Sequence, residues 1–213
     1  MRDTSSEVLS RITFVIIGII IYRFGAYIPI PGVDPIKIAD FFHSNGMLRY
    51  FNMFSGGALS RMTIFALGIM PYISASIIIQ LMSSISSSLK ELKKQGESGQ
   101  RQITQYTRYL TVFLAFIESF GLTKGLIASS GHFVTYSHIT FYIIAITTIT
   151  TGSVFLMWLG EQITERGVGN GISLLIFASI ASGIPPALGR TFTQIRDGNL
   201  SLMVLFLIGA FII

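Results

Sequence analysis

The sequence predicts an all-α protein that crosses a membrane several times. Of its 213 residues, 51% are hydrophobic and only 12% are charged, whereas a soluble domain carries about 25% charged residues. It also contains five apolar runs of the length, about 17–25 residues, that a helix needs to cross a bilayer. These two observations predict a polytopic transmembrane helical bundle.

We assign one transmembrane span to each apolar run. In chain order the spans are 12–28, 62–85, 109–127, 139–159 and 172–188. Residues 1–11 precede them as a polar N-terminal segment, and region 12–188 is treated as one five-helix unit. A sixth apolar run, 200–213, stops at the last residue, so we expect a truncated sixth helix and an incomplete protein.

The densest group of basic residues lies between the second and third spans. It consists of Lys90, Lys93, Lys94, Arg101 and Arg108. Because loops rich in lysine and arginine remain in the cytoplasm, this loop and the N-terminus are predicted to be cytoplasmic. A solvated loop accounts for these charges, and the alternative is contact with an acidic partner.

Two polar, glycine-containing stretches lie next to predicted spans. NMFSGGALSR, residues 52–61, leads into the second span, and GEQITERGVGNG, residues 160–171, separates the fourth span from the fifth. Irregular backbone at membrane depth is tolerated where protein buries it or where it lines a water-filled cavity. Taken alone, the first stretch suits an external loop with a glycine turn. The second suits either a surface loop or the wall of a funnel open to the cytoplasm.

Residues suited to catalysis or metal binding are sparse. The sequence has no cysteine, which excludes disulfides, thiolate catalysis and zinc–thiolate sites. The histidines, His43, His132 and His138, lack metal-ligand spacing, and residues 167–171 lack the spacing and the lysine of a phosphate-binding loop. We therefore predict no enzyme activity, no metal and no cofactor.

Three long strings resemble one family. FNMFSGGALSRMTIFALGIMPYISASIIIQL, ITERGVGNGISLLIFASIASGIPPAL and YRFGAYIPIPGVD are similar to the second helix, the fifth helix and the end of the first helix of the SecY family of protein-conducting channels. Members of that family have ten transmembrane helices in two pseudo-symmetric halves. The resemblance runs through the whole chain and covers the first half and the start of the sixth helix.

The resemblance implies the central pore-forming subunit of a translocase, which passes unfolded preproteins across and into the bacterial cytoplasmic (inner) membrane. It implies a multi-pass protein with a cytoplasmic N-terminus and with SecE and SecG as membrane partners. Signal sequences, preproteins and membrane lipid are further expected partners. The motor ATPase SecA and the ribosome bind mainly the other half of such channels, so we expect this chain not to translocate protein alone.

The resemblance assigns a role to the first polar stretch. In the family, a short half-helix before the second full span, the plug, blocks the pore from the external side. The matching residues are Phe51, Asn52, Met53, Phe54, Ser55, Gly56, Gly57, Ala58, Leu59 and Ser60. The two glycines each cost a helix about 1 kcal/mol relative to alanine, which suits an element that must be weakly held.

The family also has a ring of isoleucines that closes the pore. The matching residues are Ile69 and Ile73 in the second span and Ile172 and Ile176 in the fifth, each pair spaced to share one helical face. Such apolar side chains can close around a polypeptide without binding it. Without the resemblance, isoleucines at this spacing indicate lipid contact or helix packing. Pro71 is expected to kink the second span.

Ser74 and Glu118 match the polar cluster of the family's lateral gate, where a signal sequence inserts between helices. Glu118 is an acid deep in the third span, and an ionisable group there faces a partner or a cavity. An ion pair with Arg23 in the first span is the alternative that the sequence leaves open.

The alternative function is half of a secondary transporter with inverted repeats, which would place polar or ionisable ligands near the membrane midplane.

Overall fold

The computed structural model describes residues 2–34, 38, 52, 55–129 and 137–196. Helices make up nearly all of the regular structure in these ranges, and the predicted all-α fold is confirmed; the exception is an isolated antiparallel bridge between Pro29 and Thr63. The helices are α1 (Arg2–Gly25), α2 (Met70–Ile85), α3 (Ser87–Lys94), α4 (Glu97–Ser129), α5 (His138–Arg166), α6 (Gly171–Ala181) and α7 (Ile184–Arg196). The sixth apolar run, 200–213, and plug residues Phe51, Met53 and Phe54 lie outside the described residues.

Within the described ranges, three helices are long and apolar enough to cross a membrane: Ser6–Gly25, Glu97–Ala128 and Ile139–Arg166. A fourth span results if α2 and α3, which meet at a bend of 97°, are counted together. These three helices contain most or all of the first, third and fourth predicted spans. By contrast, α2 and α6 have only 16 and 11 residues. At about 1.5 Å per residue, each is shorter than a hydrocarbon core of about 30 Å.

The second predicted span is wrong at its start, because the helix begins at Met70 and not at residue 62. Residues 55–69, which we term the central turn segment, form consecutive turns. Met62 and Gly68 have φ values of 45° and 57°, in the left-handed region that a right-handed helix cannot include. The segment also pairs with the chain after α1, since Ile30 N donates to Met62 O at 2.8 Å and Ile64 N donates to Ile28 O at 3.0 Å.

Pro71 begins a helix and does not kink one. It lies in the first turn of α2, where no helical partner exists for a backbone N–H and the fixed φ of proline suits the helix. The kink predicted at this position is therefore wrong.

The basic loop 84–108 and the polar stretch 160–171, both predicted between spans, are mostly helical. The basic loop 84–108 consists of a bend at Ser86, the exposed helix α3 and the first turns of α4.

In the stretch 160–171, α5 continues to Arg166 and only 167–170 is non-helical. Thr164 Oγ1 accepts a hydrogen bond from Gly171 N at 2.8 Å, and Asn170 Oδ1 caps α6 by accepting from Ser173 N at 3.2 Å. These bonds make a tight turn between two helices, so the surface-loop interpretation is favoured over the funnel.

The central turn segment belongs to both buried clusters of the core. Leu59, Met62 and Ala66 contact residues of α4 and α5 in one cluster, and Phe65 and Ile69 contact α1, α5 and α6 in the other. Helices approach the segment closely where they carry glycine. A Cβ atom at Gly25 would collide with the Phe65 ring, and one at Gly152 would collide with the Ile64 carbonyl oxygen.

We predict that Gly152→Ala destabilises the folded full-length protein. The added methyl group must push α5 away from the backbone of Ile64, and overpacking of this kind costs about 1–3 kcal/mol. The matched control is Gly121→Ala on α4, where a Cβ atom meets nothing within 4 Å and alanine favours the helix by up to about 1 kcal/mol. Thermal unfolding of the purified protein in detergent measures both variants. Equal stability of the two variants would contradict the close packing.

Candidate functional site

The described part of the plug, Asn52 and 55–60, is closed by its own hydrogen bonds, and residues 55–60 form turns. Gly57 N donates to Asn52 O at 2.9 Å and Ser60 N donates to Asn52 Oδ1 at 2.9 Å. Gly56 and Gly57 have φ values of 62° and 83°. Two successive residues in the left-handed region interrupt a right-handed helix, so residues 55–60 do not form the predicted half-helix.

The plug residues lie directly on α6. A Cβ atom added at Gly56 would be 3.1 Å from Ser179 O and 3.0 Å from Ser182 Oγ, so only glycine allows this approach without displacement. The Tyr22 hydroxyl on α1 is 2.5 Å from Ser179 Oγ and 3.4 Å from Ser55 O. Elements far apart in the sequence therefore meet at one point between α1 and α6.

The four isoleucines of the predicted ring lie around two adjacent small cavities. Ile69, Ile73 and Ile176 share a void of about 20 Å³ with Tyr22 and Ser179, which is large enough for about one water molecule. Ile172 lines a second cavity of about 230 Å³, and Ile73 lines both. The structure thus brings three of the isoleucines together directly and places the fourth beside them.

Ser74 on α2 and Glu118 on α4 line the same cavity, which has a volume of about 460 Å³. Ser55 and Leu59 of the plug also line it, and most of its remaining wall is apolar. Glu118 is half-buried in this wall. The predicted gate residues therefore face a common space that also reaches the plug.

The ion pair between Arg23 and Glu118 does not form among the described residues. Arg23 instead donates a hydrogen bond to the Tyr27 hydroxyl at 3.1 Å, and its guanidinium lies 5.3 Å from the centre of the Tyr27 ring. Of the two alternatives left by the sequence, the geometry favours Glu118 facing the cavity.

Sequence reasoning missed several polar contacts between helices. Tyr22 and Ser179 are separated by 157 residues, and Arg108 on α4 forms a two-point ion pair with Glu161 on α5 through Nε and Nη2, both at 2.9 Å. The one sequence signal was the presence of Tyr22 within a predicted membrane span, since a buried tyrosine hydroxyl generally finds a partner. No sequence signal identified that partner.

Comparison with known sequences identifies the family. A sequence model of SecY matches residues 63–213. The chain is 55% identical over 207 residues to protein translocase subunit SecY of Pseudomonas aeruginosa, covering 96% of this chain and 46% of that protein. The chain belongs to the SecY family. It is also 51% identical over 210 residues to protein translocase subunit SecY of Escherichia coli K12, covering 97% of this chain and 47% of that protein.

The chain spans about half the length of the curated SecY relatives it matches. The sequence-based identification of the SecY family is confirmed. Together with the apolar helices, these relatives identify a multi-pass protein of a bacterial membrane.

Solved structures share the fold. The first is a structure of Sec61 in the canine ribosome–channel complex from the endoplasmic reticulum, and the second is described as a protein conducting channel. Each has a TM-score of 0.65 and 18% sequence identity to this chain, and the match covers 92% of this chain and 43% of the other. A third, of a SecY protein whose plug is described as stabilising the closed channel and maintaining a membrane seal, has a TM-score of 0.62 and 19% identity, covering 92% of this chain and 42% of the other.

Proposed function

We propose that this chain forms the N-terminal half of the pore-forming subunit of a protein translocase, which passes unfolded preproteins across and into the bacterial cytoplasmic membrane. The observation that carries the proposal is the central turn segment, which lies among the membrane helices and meets α6 beside an isoleucine-lined void of about 20 Å³. A non-helical segment placed there can close a pore and can also leave it, whereas a packed transmembrane helix cannot leave without unfolding the bundle.

The pore ring of this proposal consists of Ile69, Ile73, Ile172 and Ile176. Branched aliphatic side chains fill a constriction by dispersion contacts that need no fixed partner. They can therefore separate around a passing polypeptide and close behind it. Polar side chains at the same positions would bind the substrate or admit ions and water.

The lateral gate of this proposal is the cavity between α2 and α4 that Ser74 and Glu118 line. The wall of this cavity is mostly apolar, which suits the apolar core of a signal sequence, and its few polar groups make the closed interface less stable than a fully apolar one. Because Ser55 and Leu59 line the same space, a segment that enters it also contacts the plug.

The proposal includes an orientation and a set of partners. The basic residues of α3 and the start of α4 favour a cytoplasmic location for that side and for the N-terminus. The exposed lysines Lys93 and Lys94 at the end of α3 suit an acidic partner such as ribosomal RNA. SecE, SecG and SecA are the further partners of the proposal, and it assigns the chain no enzyme activity.

The rival function is half of a secondary transporter with inverted repeats. That function would be favoured by polar groups converging on a small solute at the membrane midplane. The isoleucines around the void between α1, α2 and α6 support the channel instead. Saturable uptake of a solute by the reconstituted full-length protein would favour the transporter.

We predict that deleting residues 51–60 from the full-length channel raises its resting ion conductance and lets preproteins with weaker signal sequences pass. The reason is that removing a closing element shifts the equilibrium towards the open state, so a signal with less differential affinity suffices to open it. Planar bilayer recordings and translocation of preproteins with graded signal hydrophobicity measure the two effects. Unchanged conductance and unchanged selectivity would contradict the proposed function.

We predict that Glu118→Leu in the full-length channel makes translocation demand more hydrophobic signal sequences. Leucine removes a group that is costly in apolar surroundings, by about 2.5–3.5 kcal/mol for an acid at mid-membrane, so the closed gate becomes more stable. Preproteins with weak signals should then be translocated several-fold more slowly.

Arg23→Leu is the control for this experiment, because Arg23 contacts Tyr27 and not the gate cavity. It should leave the dependence on signal hydrophobicity unchanged. If both variants lower only the yield of folded protein, by the same amount, the gate role of Glu118 is wrong.

A further inference from the structure

Tyr22 carries a polar group into the most buried part of the helical bundle. Its side chain is only 1% exposed, and its hydroxyl lies between α6 and the plug. The Ser179 Oγ atom is 2.5 Å away and the Ser55 carbonyl oxygen is 3.4 Å away. A single hydroxyl group on α1 therefore contacts both elements that meet at the proposed constriction.

The number of protons at this point restricts the hydrogen bonds that can coexist. Each hydroxyl has one hydrogen to donate, and Ser179 Oγ is also 2.8 Å from Leu175 O, an acceptor on its own helix. If Ser179 donates to Leu175, Tyr22 must donate to Ser179, and the Ser55 carbonyl receives no proton from Tyr22. If Ser179 donates to the Tyr22 oxygen, the hydrogen of Tyr22 is available for Ser55.

Rotation of two O–H bonds interconverts these arrangements. When Ser179 donates to Tyr22 and Tyr22 donates to Ser55, the plug is linked to α1 and α6. When Ser179 donates to Leu175 and Tyr22 donates to Ser179, both hydroxyls stay hydrogen-bonded after the plug has gone. An unpaired hydroxyl buried in an apolar interior is costly, and this pair avoids that cost both with the plug present and with the plug displaced.

The aromatic neighbours of Tyr22 fix the position of its hydroxyl. The Tyr22 ring stacks on Phe65 at a centroid distance of 6.0 Å, and Phe65 stacks on Phe155 of α5 at 5.9 Å. Gly25 provides the space for the Phe65 ring. The hydroxyl therefore remains at this position while its hydrogen changes partner.

We propose that Tyr22 is a positioning residue that, together with Ser179, holds the turn at Ser55 and Gly56 against α6 and so keeps the channel closed at rest. This inference rests on the proposed function, and it adds the contact that sets how readily the plug leaves. Because Ser55 O also accepts a hydrogen bond from Ala58 N at 3.2 Å, the plug keeps its own turn when the bond to Tyr22 breaks.

The test is the resting ion conductance of the full-length channel, reconstituted with its membrane partners, in planar bilayers. Tyr22→Phe removes the hydroxyl and keeps the ring. We expect an increase in conductance of about 2- to 10-fold, the factor that corresponds to the loss of one ordinary hydrogen bond. Ser179→Ala removes the hydroxyl that competes for the Tyr22 hydrogen and leaves the Ser55 carbonyl as its remaining acceptor here, so conductance should not rise, and the double variant should behave like Tyr22→Phe.

Tyr27→Phe is the matched control. It removes a tyrosine hydroxyl close by in the chain, whose partner is Arg23, and it retains the ring that lies 4.2 Å from the Arg61 guanidinium. Its conductance should equal that of the unmodified channel.

The decisive comparison uses a channel that lacks residues 51–60. In that background Tyr22→Phe should have no effect, because the element that the hydroxyl holds is gone. If Tyr22→Phe raises conductance equally with and without the plug, it acts through the packing of α1 on α6, and the inference is overturned. If the deletion raises conductance but Tyr22→Phe does not, the inference alone is overturned. If the deletion itself has no effect, the inference and the proposed function are both overturned.

Discussion

The backbone of the central turn segment lies among membrane helices without being helical, so its polar groups must find partners inside the protein. Short pairing with residues 28–30 satisfies part of this requirement, and i to i+3 turns within the segment satisfy another part. The rest of the described architecture follows from this constraint. α2 begins late, at Met70, because the chain before it is occupied in these bonds, and helices α1 and α5 carry glycine where they contact the segment.

A segment held in this way suits a reversible seal. Residues 59–69 of the segment contact both buried clusters of the core. Residues 55 and 56, which reach α6, make contacts that each contribute little free energy. Gly56 lies so close to α6 that an added Cβ atom would be 3.1 Å from Ser179 O, and Tyr22 reaches the Ser55 carbonyl by one long hydrogen bond of 3.4 Å. Dispersion contacts and single hydrogen bonds each contribute little. In the proposed function, a preprotein that gains a moderate amount of free energy in the proposed gate cavity therefore displaces the plug while the helices remain packed.

Sequence reasoning predicted the fold class from apolar runs of membrane-spanning length, and the family from three long strings of residues that resemble it. The interiors of α1, α4 and α5 follow from apolar runs long enough to cross a bilayer. The start of α2 could not be predicted, because the left-handed Met62 and the pairing with residues 28–30 arise from tertiary contacts that apolar periodicity does not encode. The same limit applies to Pro71, whose place in the first turn depends on where the helix begins.

The candidate site was predictable only in part, for a related reason. Ser74 and Glu118 were assigned on resemblance, and they line one cavity because α2 and α4 are adjacent. Residues 55–60, assigned to the plug on resemblance, were expected to be helical and instead form turns, because the φ values of Gly56 and Gly57 are not fixed by their identity alone. The bond between Tyr22 and Ser179 joins α1 to α6, and no short-range pattern encodes such a contact.

The central claim is that residues 55–60 close the channel by contact with α6 and must leave it for protein to pass. A disulfide between Gly56→Cys and Ser182→Cys tests this directly, in a full-length channel with no other cysteine. The present chain contains none. A Cβ atom at Gly56 would be 3.0 Å from Ser182 Oγ, the position that the sulfur of Ser182→Cys takes, so the two cysteines can bond after a shift of a few tenths of an ångström. Oxidation should block translocation of a preprotein and reduction should restore it, whereas Gly57→Cys with Ser182→Cys should not respond. Undiminished translocation through a fully cross-linked channel would contradict the account.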